Sequence, residues 1–145
     1  MKIILLIISM ICMVSCGQRG VLKEITIGRL DEKLLQHSFK FITPTRRSPD
    51  HDWGYMMSFV SNEKPLVGSG RYSIRDTKNH ILVSGEFSNS SLIESSWHSD
   101  KSKVSYLFGE KFILKNYTNY TLELELDSSI THDVQVCLHY LDVKK

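Results

Sequence analysis

The chain has 145 residues, 41% of them hydrophobic and 23% charged, with 18 Lys and Arg against 16 Asp and Glu for a formal net charge of +2. This length suits one domain whose apolar core can suffice without staples. A nearly neutral balance with no long block of one sign gives nucleic-acid binding little electrostatic support, so no nucleic-acid partner is expected.

The first residues read as an export signal. Lys2 supplies a short positive region, Ile3 to Val14 form an apolar run, and small Ser15 precedes Cys16. That run falls well short of the roughly 20 apolar residues that span a bilayer as a helix. Met13-Val14-Ser15-Cys16 resembles the lipobox of bacterial lipoproteins, with Met13 where the pattern most often has Leu. The resemblance implies a lipoprotein signal peptide over 1–15, removed when Cys16 is acylated with palmitate-type chains and becomes the mature N-terminus. Residues 16–20 are then the lipidated cysteine and a short tether, and 21–145 a single domain. An ordinary secretory signal with an incidental cysteine is the alternative. Gly17, where an Asp would signal inner-membrane retention, implies by the same resemblance the outer membrane, facing the periplasm. The lipid bilayer is thus the first expected partner.

On that reading Cys12 leaves with the signal and lipid consumes the Cys16 thiol, so Cys137 has no intrachain disulfide partner. Its neighbours on one strand face, Gln135 and His139, offer no permanent cation to activate it, and an inert thiol is expected.

The rest of the chain reads as strands. Period-two alternation predicts them at Leu22 to Ile27, Leu35 to Ile42, Gly54 to Val60, Gly70 to Arg75, His80 to Phe87, Lys103 to Phe108 and Phe112 to Lys115. Two clearer segments follow. Tyr120, Leu122, Leu124 and Leu126 alternate with Thr121, Glu123 and Glu125, and Val134, Val136, Leu138 and Tyr140 do the same up to Leu141. Turn signals fall at Ser61 to Pro65, Asp76 to Asn79, Gly109-Glu110 and Asp127 to Ser129. The best helical possibilities are Leu30 to His37, with Asp31 as cap, and a turn at Ser91 to Ser96. About nine short strands in this spacing predict an all-β antiparallel sandwich, immunoglobulin-like or jelly-roll-like.

Chemistry-bearing motifs are sparse. Asp50-His51-Asp52-Trp53-Gly54-Tyr55 gathers two carboxylates, an imidazole and two aromatics, a set suited to a polar ligand or, less well, a metal, since it lacks the spaced His or Cys pairs of zinc sites. Glu123 and Glu125, at i and i+2, stand roughly 7 Å apart on one strand face, within an inverting glycosidase's span, but such a pair also marks any solvated sheet face. His37 shares a face with Leu35, Phe39 and Phe41, where a hydrogen-bonded core histidine is the ordinary reading. Gly68-Ser69-Gly70 lacks the spacing of a nucleophile elbow. No cofactor, metal or catalytic residue is therefore expected.

Trp53, Trp97 and Tyr117 lie in or beside predicted loops, where rings serve as anchors for proteins, platforms for sugars or plugs of a sandwich end. Partner binding is accordingly assigned to Asp50, His51, Asp52, Trp53 and Tyr55 on one loop and Trp97 and His98 on another, the two gripping one partner. As a class, small exported lipoproteins with a compact β domain resemble immunity proteins and secretion-system accessory subunits. The expectation is a non-enzymatic protein-binding module at the cell envelope. A carbohydrate- or peptidoglycan-binding module is the alternative, and an enzyme built on Glu123 and Glu125 or on a metal at His51 is the third class.

Overall fold

The computed structural model describes residues 20–45, 54–62, 67–95 and 102–143. Nine strands run through them: β1 (Gly20–Arg29), β2 (Gln36–Ile42), β3 (Tyr55–Ser61), β4 (Ser69–Arg75), β5 (Ile81–Ser88), β6 (Ile93–Ser95), β7 (Val104–Phe112), β8 (Asn119–Leu126) and β9 (Gln135–Val143). They form a five-stranded sheet in the order β1-β9-β3-β7-β6 and a four-stranded sheet in the order β2-β8-β4-β5. Every pairing is antiparallel. Among the described residues no helix is long and apolar enough to cross a membrane.

The wiring separates the two expected topologies. Consecutive strands pair only at β4–β5 and β6–β7, and each remaining connection passes from one sheet to the other. An immunoglobulin sandwich keeps more consecutive pairs within a sheet, whereas this alternation is that of a jelly roll, with short β6 added at one edge.

Alternation explains which side chains meet between the sheets. Tyr120, Leu122, Leu124 and Leu126 of β8 are buried against Met57, Phe59, Val136 and Leu138 of β3 and β9. Phe59 lies at the centre, its ring stacked 4.2 Å from that of Phe108 and 5.2 Å, edge-on, from that of Phe87. Such ring contacts contribute beyond their area because the positive ring edge meets a negative face.

Three local expectations are corrected. Leu30 to His37 is not a helix: Asp31 Oδ1 accepts the Lys33 amide at 2.8 Å, closing an Asx turn, and the Asp31 amide donates to His37 Nε2 at 2.9 Å. His37 is thus the hydrogen-bonded, buried residue its face implied. The second helical possibility resolves into a single 3₁₀ turn at Asn89–Ser91 followed by β6. The two segments expected at 103–108 and 112–115 resolve into one strand, β7, which runs to Phe112, and Ile113 to Lys115 belong to the connection after it. Gly109, at φ 72°, does not turn the chain but bulges it, so that the register jumps from Met57↔Phe108 to Tyr55↔Phe112.

The sandwich has two distinct ends. Gly20 enters at the end where β9, β7 and β2 finish and where β3, β5 and β8 begin. The described residues 43–45 and 54 and the connections 76–80 and 113–118 lie at this entry end. Connections 30–35 and 127–134 and the described residues 62, 67–68 and 102–103 lie at the far end, one strand length or roughly 20 Å away.

Candidate functional site

Of the residues assigned to partner binding, Asp50, His51, Asp52, Trp53, Trp97 and His98 lie outside the described residues, as does Cys16. Tyr55 is described, and it is a core residue: it has no exposed surface, and its ring lies 5.8 Å from Tyr140 and 6.2 Å from Phe112. It points inward because β3 alternates Tyr55, Met57 and Phe59 toward the core, so its assignment to a binding surface is withdrawn. The two-loop grip rests on residues that lie outside the described ones. The chain around 46–53 attaches at Thr45 and Gly54 at the entry end, whereas that around 96–101 attaches at Ser95 and Ser102 at the far end. A partner held at both ends would have to span the sandwich.

The chemistry that the structure does assemble lies on the two outward sheet faces and at the entry end. The outward face of β2-β8-β4-β5 is built by register. Gln36, Glu125, Arg71 and Glu86 form one cross-strand row, and Ser38, Glu123, Ser73 and Ser84 the next. Arg71 Nη2 donates to Glu125 Oε1 at 2.8 Å, and Arg75 Nε to Glu123 Oε2 at 3.0 Å. The hydrogen bond to Glu125 raises the Arg71 pKa further above its ordinary value. The two glutamates therefore belong to an ion-pair lattice, each engaged by its own arginine. An open trough of about 550 Å³ runs along this face between β2 and β4. At the edge of the face, a bulge in β5 leaves Ile81 and Leu82 half-exposed beside Arg75.

The outward face of the five-stranded sheet differs. Ser58, Val60, Ser105, Leu107, Cys137 and His139 are all buried there, although no described strand lies across them. Ser58 Oγ and His139 Nε2 are hydrogen-bonded at 2.5 Å, and Glu24 Oε2 stands 3.7 Å from the same nitrogen. A serine–histidine–carboxylate relay needs the acid on the other ring nitrogen and an accessible hydroxyl. Here serine and acid converge on one nitrogen and the serine has no exposed surface. Cys137 Sγ contacts Thr26 Oγ1 at 3.8 Å, and burial, then the charge of Glu24, pushes its pKa up to about 12. The thiol is thus held as a thiol, as its neighbours in sequence implied.

At the entry end, Thr43 is the hub. Its hydroxyl donates to the Lys115 carbonyl at 2.6 Å, its amide donates to the Thr118 carbonyl at 3.0 Å, and its Oγ1 accepts the Thr118 amide at 3.0 Å. The Lys115 amide donates to the Tyr120 hydroxyl at 3.1 Å. These bonds fix the β7–β8 connection and hold Tyr117 at φ 47° with its ring 79% exposed. Among the described residues no group of three or more His, Cys, Asp or Glu is placed to hold a metal ion.

Sequence reasoning saw Glu123 and Glu125 but missed Arg71 and Arg75, about fifty positions away. The signal was present: Arg71, Ser73 and Arg75 alternate with Tyr72 and Ile74, which places both guanidinium groups on one face, but pairing to β8 was needed to see the partners. No protein-family model, curated protein or solved structure matches the chain.

Proposed function

We propose that the protein is a lipid-anchored, non-enzymatic protein-binding module of the bacterial cell envelope. It is held through acylated Cys16 at the outer membrane, facing the periplasm, and acts as an immunity protein or a secretion-system accessory subunit. The observation that carries the binding role is the outward face of β2-β8-β4-β5, where cross-strand arginines already fixed by glutamates adjoin the half-exposed Ile81 and Leu82. Arginine held in place loses little further freedom on binding, and an apolar spot rimmed by charge is the usual anatomy of a protein contact. The face is wide and open, which favours a macromolecular partner over an enclosed small molecule.

The signal and lipobox-like sequence support the address, and the short tether Gly17 to Gly20 keeps the partner near the membrane. Affinity capture of the acylated protein from its own membranes tests this reading, with Arg71→Glu/Leu82→Asp as the paired variant. A stoichiometric protein retained by the wild type and lost by the folded variant is the expected result. Retention of the same protein by both would remove this face from the account, and capture of wall glycan with no protein would favour the carbohydrate-binding alternative.

A further inference from the structure

Three large apolar side chains are exposed around the Thr43 hub, where nothing in the fold requires them. Ile42 ends β2 at 54% exposure, Ile113 follows β7 at 75% and Tyr117 crowns the β7–β8 connection at 79%. A tyrosine at φ 47° is rare among non-glycine residues, and here the backbone hydrogen bonds of Thr43 and Thr118 hold it with its ring outward.

This is also the end at which Gly20 begins β1. Only Gly17, Gln18 and Arg19 separate Gly20 from Cys16, and at roughly 3.3–3.6 Å per extended residue that tether cannot hold the entry end far from an acylated cysteine. Charge is divided in the same sense. The described connections at the entry end carry Lys78 and Lys115 against Asp76, with Lys40 nearby on β2. Those at the far end carry Asp31, Glu32, Asp127 and Asp133 against Lys33 and Lys103, with Arg29 at the end of β1 paired to Asp133 at 3.0 Å, which leaves a smaller acidic excess there.

We propose that the entry end is a membrane-docking face. The domain stands on an anionic bilayer with Tyr117, Ile113 and Ile42 in the headgroup layer and Lys40, Lys78 and Lys115 toward the phosphates. Amphipathic tyrosine suits that layer, isoleucine beside it adds apolar burial, and lysines let their stems lie along the surface. Attraction at the basic end and repulsion at the acidic end select one orientation, which leaves both sheet faces and the far end open to other molecules. The proposal rests on the acylation of Cys16 only for bringing this end to the surface.

The test uses the full chain, expressed and processed in a bacterial host, with an environment-sensitive fluorescent amino acid at position 117, 113 or, as the far-end control, 129. The protein is placed in phosphatidylethanolamine–phosphatidylglycerol vesicles containing a lipid brominated in its acyl chains. Quenching at 117 and 113 with none at 129 is expected, and it should weaken in zwitterionic vesicles. Equal quenching at the three positions, or none, overturns the proposal. So does shielding of 117 in native membranes with no quenching in pure lipid, which would give the patch to a protein partner. The mass of the N-terminal peptide reads the anchor separately. If Cys16 carries no lipid, the anchoring reading fails alone, and the same probes on protein added to vesicles from solution still decide the docking face.

Discussion

At position 137 a cysteine sits between Thr26 and Ser58 in the register of the five-stranded sheet, and its surroundings determine its titration. Burial raises the thiol from 9.0 to about 12, so the native state keeps a proton that the unfolded chain has already released. Stability therefore falls as pH rises through this window, and burial raises the Tyr72 and Tyr106 hydroxyls in the same sense. The urea midpoint should drop between about pH 8 and about pH 10.5, and Cys137→Ala should flatten that drop whatever it does to stability at the lower pH. An unchanged slope in the variant would show that the thiol is not the titrating group. Two glycines are fixed by close approach. A Cβ on Gly70 would strike the Glu125 carbonyl and lie 2.7 Å from the Phe87 ring, and one on Gly109 would strike the Tyr72 hydroxyl at a φ of 72°. Gly70→Ala should cost about 1–3 kcal/mol, read by chemical denaturation. The inert thiol was legible in sequence because its same-face neighbours were. The burial of Ser58, Val60, Ser105, Leu107 and His139 on the same face was not, because a strand's alternation says which residues share a side and nothing of what lies over it.

The strands follow from the alternation of apolar residues, and most of their positions were legible. Those of β8 and β9 were clearest because Tyr120 to Leu126 and Val134 to Tyr140 keep strict period two. Where local chemistry has two readings, the sequence misled. Gly109-Glu110 reads as a turn, yet β3 pairs on both sides of it and makes it a bulge. Asp31 reads as a helix cap, yet it caps only its own turn because His37 takes its amide. The core includes a ring cluster shared by β3, β7 and β5. Phe59→Ala should cost about 3–5 kcal/mol, since Phe87 and Phe108 cannot close the space. Tyr55→Ala should likewise lower the melting temperature, whereas Tyr117→Ala should stay within about 0.5 kcal/mol of the wild type by the same measurement. If Tyr55→Ala left stability intact, its place in the core would be wrong.

As a whole, the jelly roll separates two surfaces that the sequence could not separate. Pairing of β8 with β4 turns two glutamates into an arginine-bearing lattice, and crossing connections gather Ile42, Ile113 and Tyr117 at the end where Gly20 enters. The same topology puts the attachment points of the two tryptophan-bearing stretches at opposite ends, about one strand length apart. In the proposed arrangement the basic end meets the bilayer and the charged face of β2-β8-β4-β5 stands free beside it for a partner. Photo-crosslinking in living cells tests that arrangement most directly, with a crosslinking residue at Ile81 or Ser84 on the face and at Ser129 on the far end. A discrete protein adduct from Ile81 and Ser84 and none from Ser129 is the predicted result. No adduct from the face, or the same adducts from all three positions, would contradict a partner bound there.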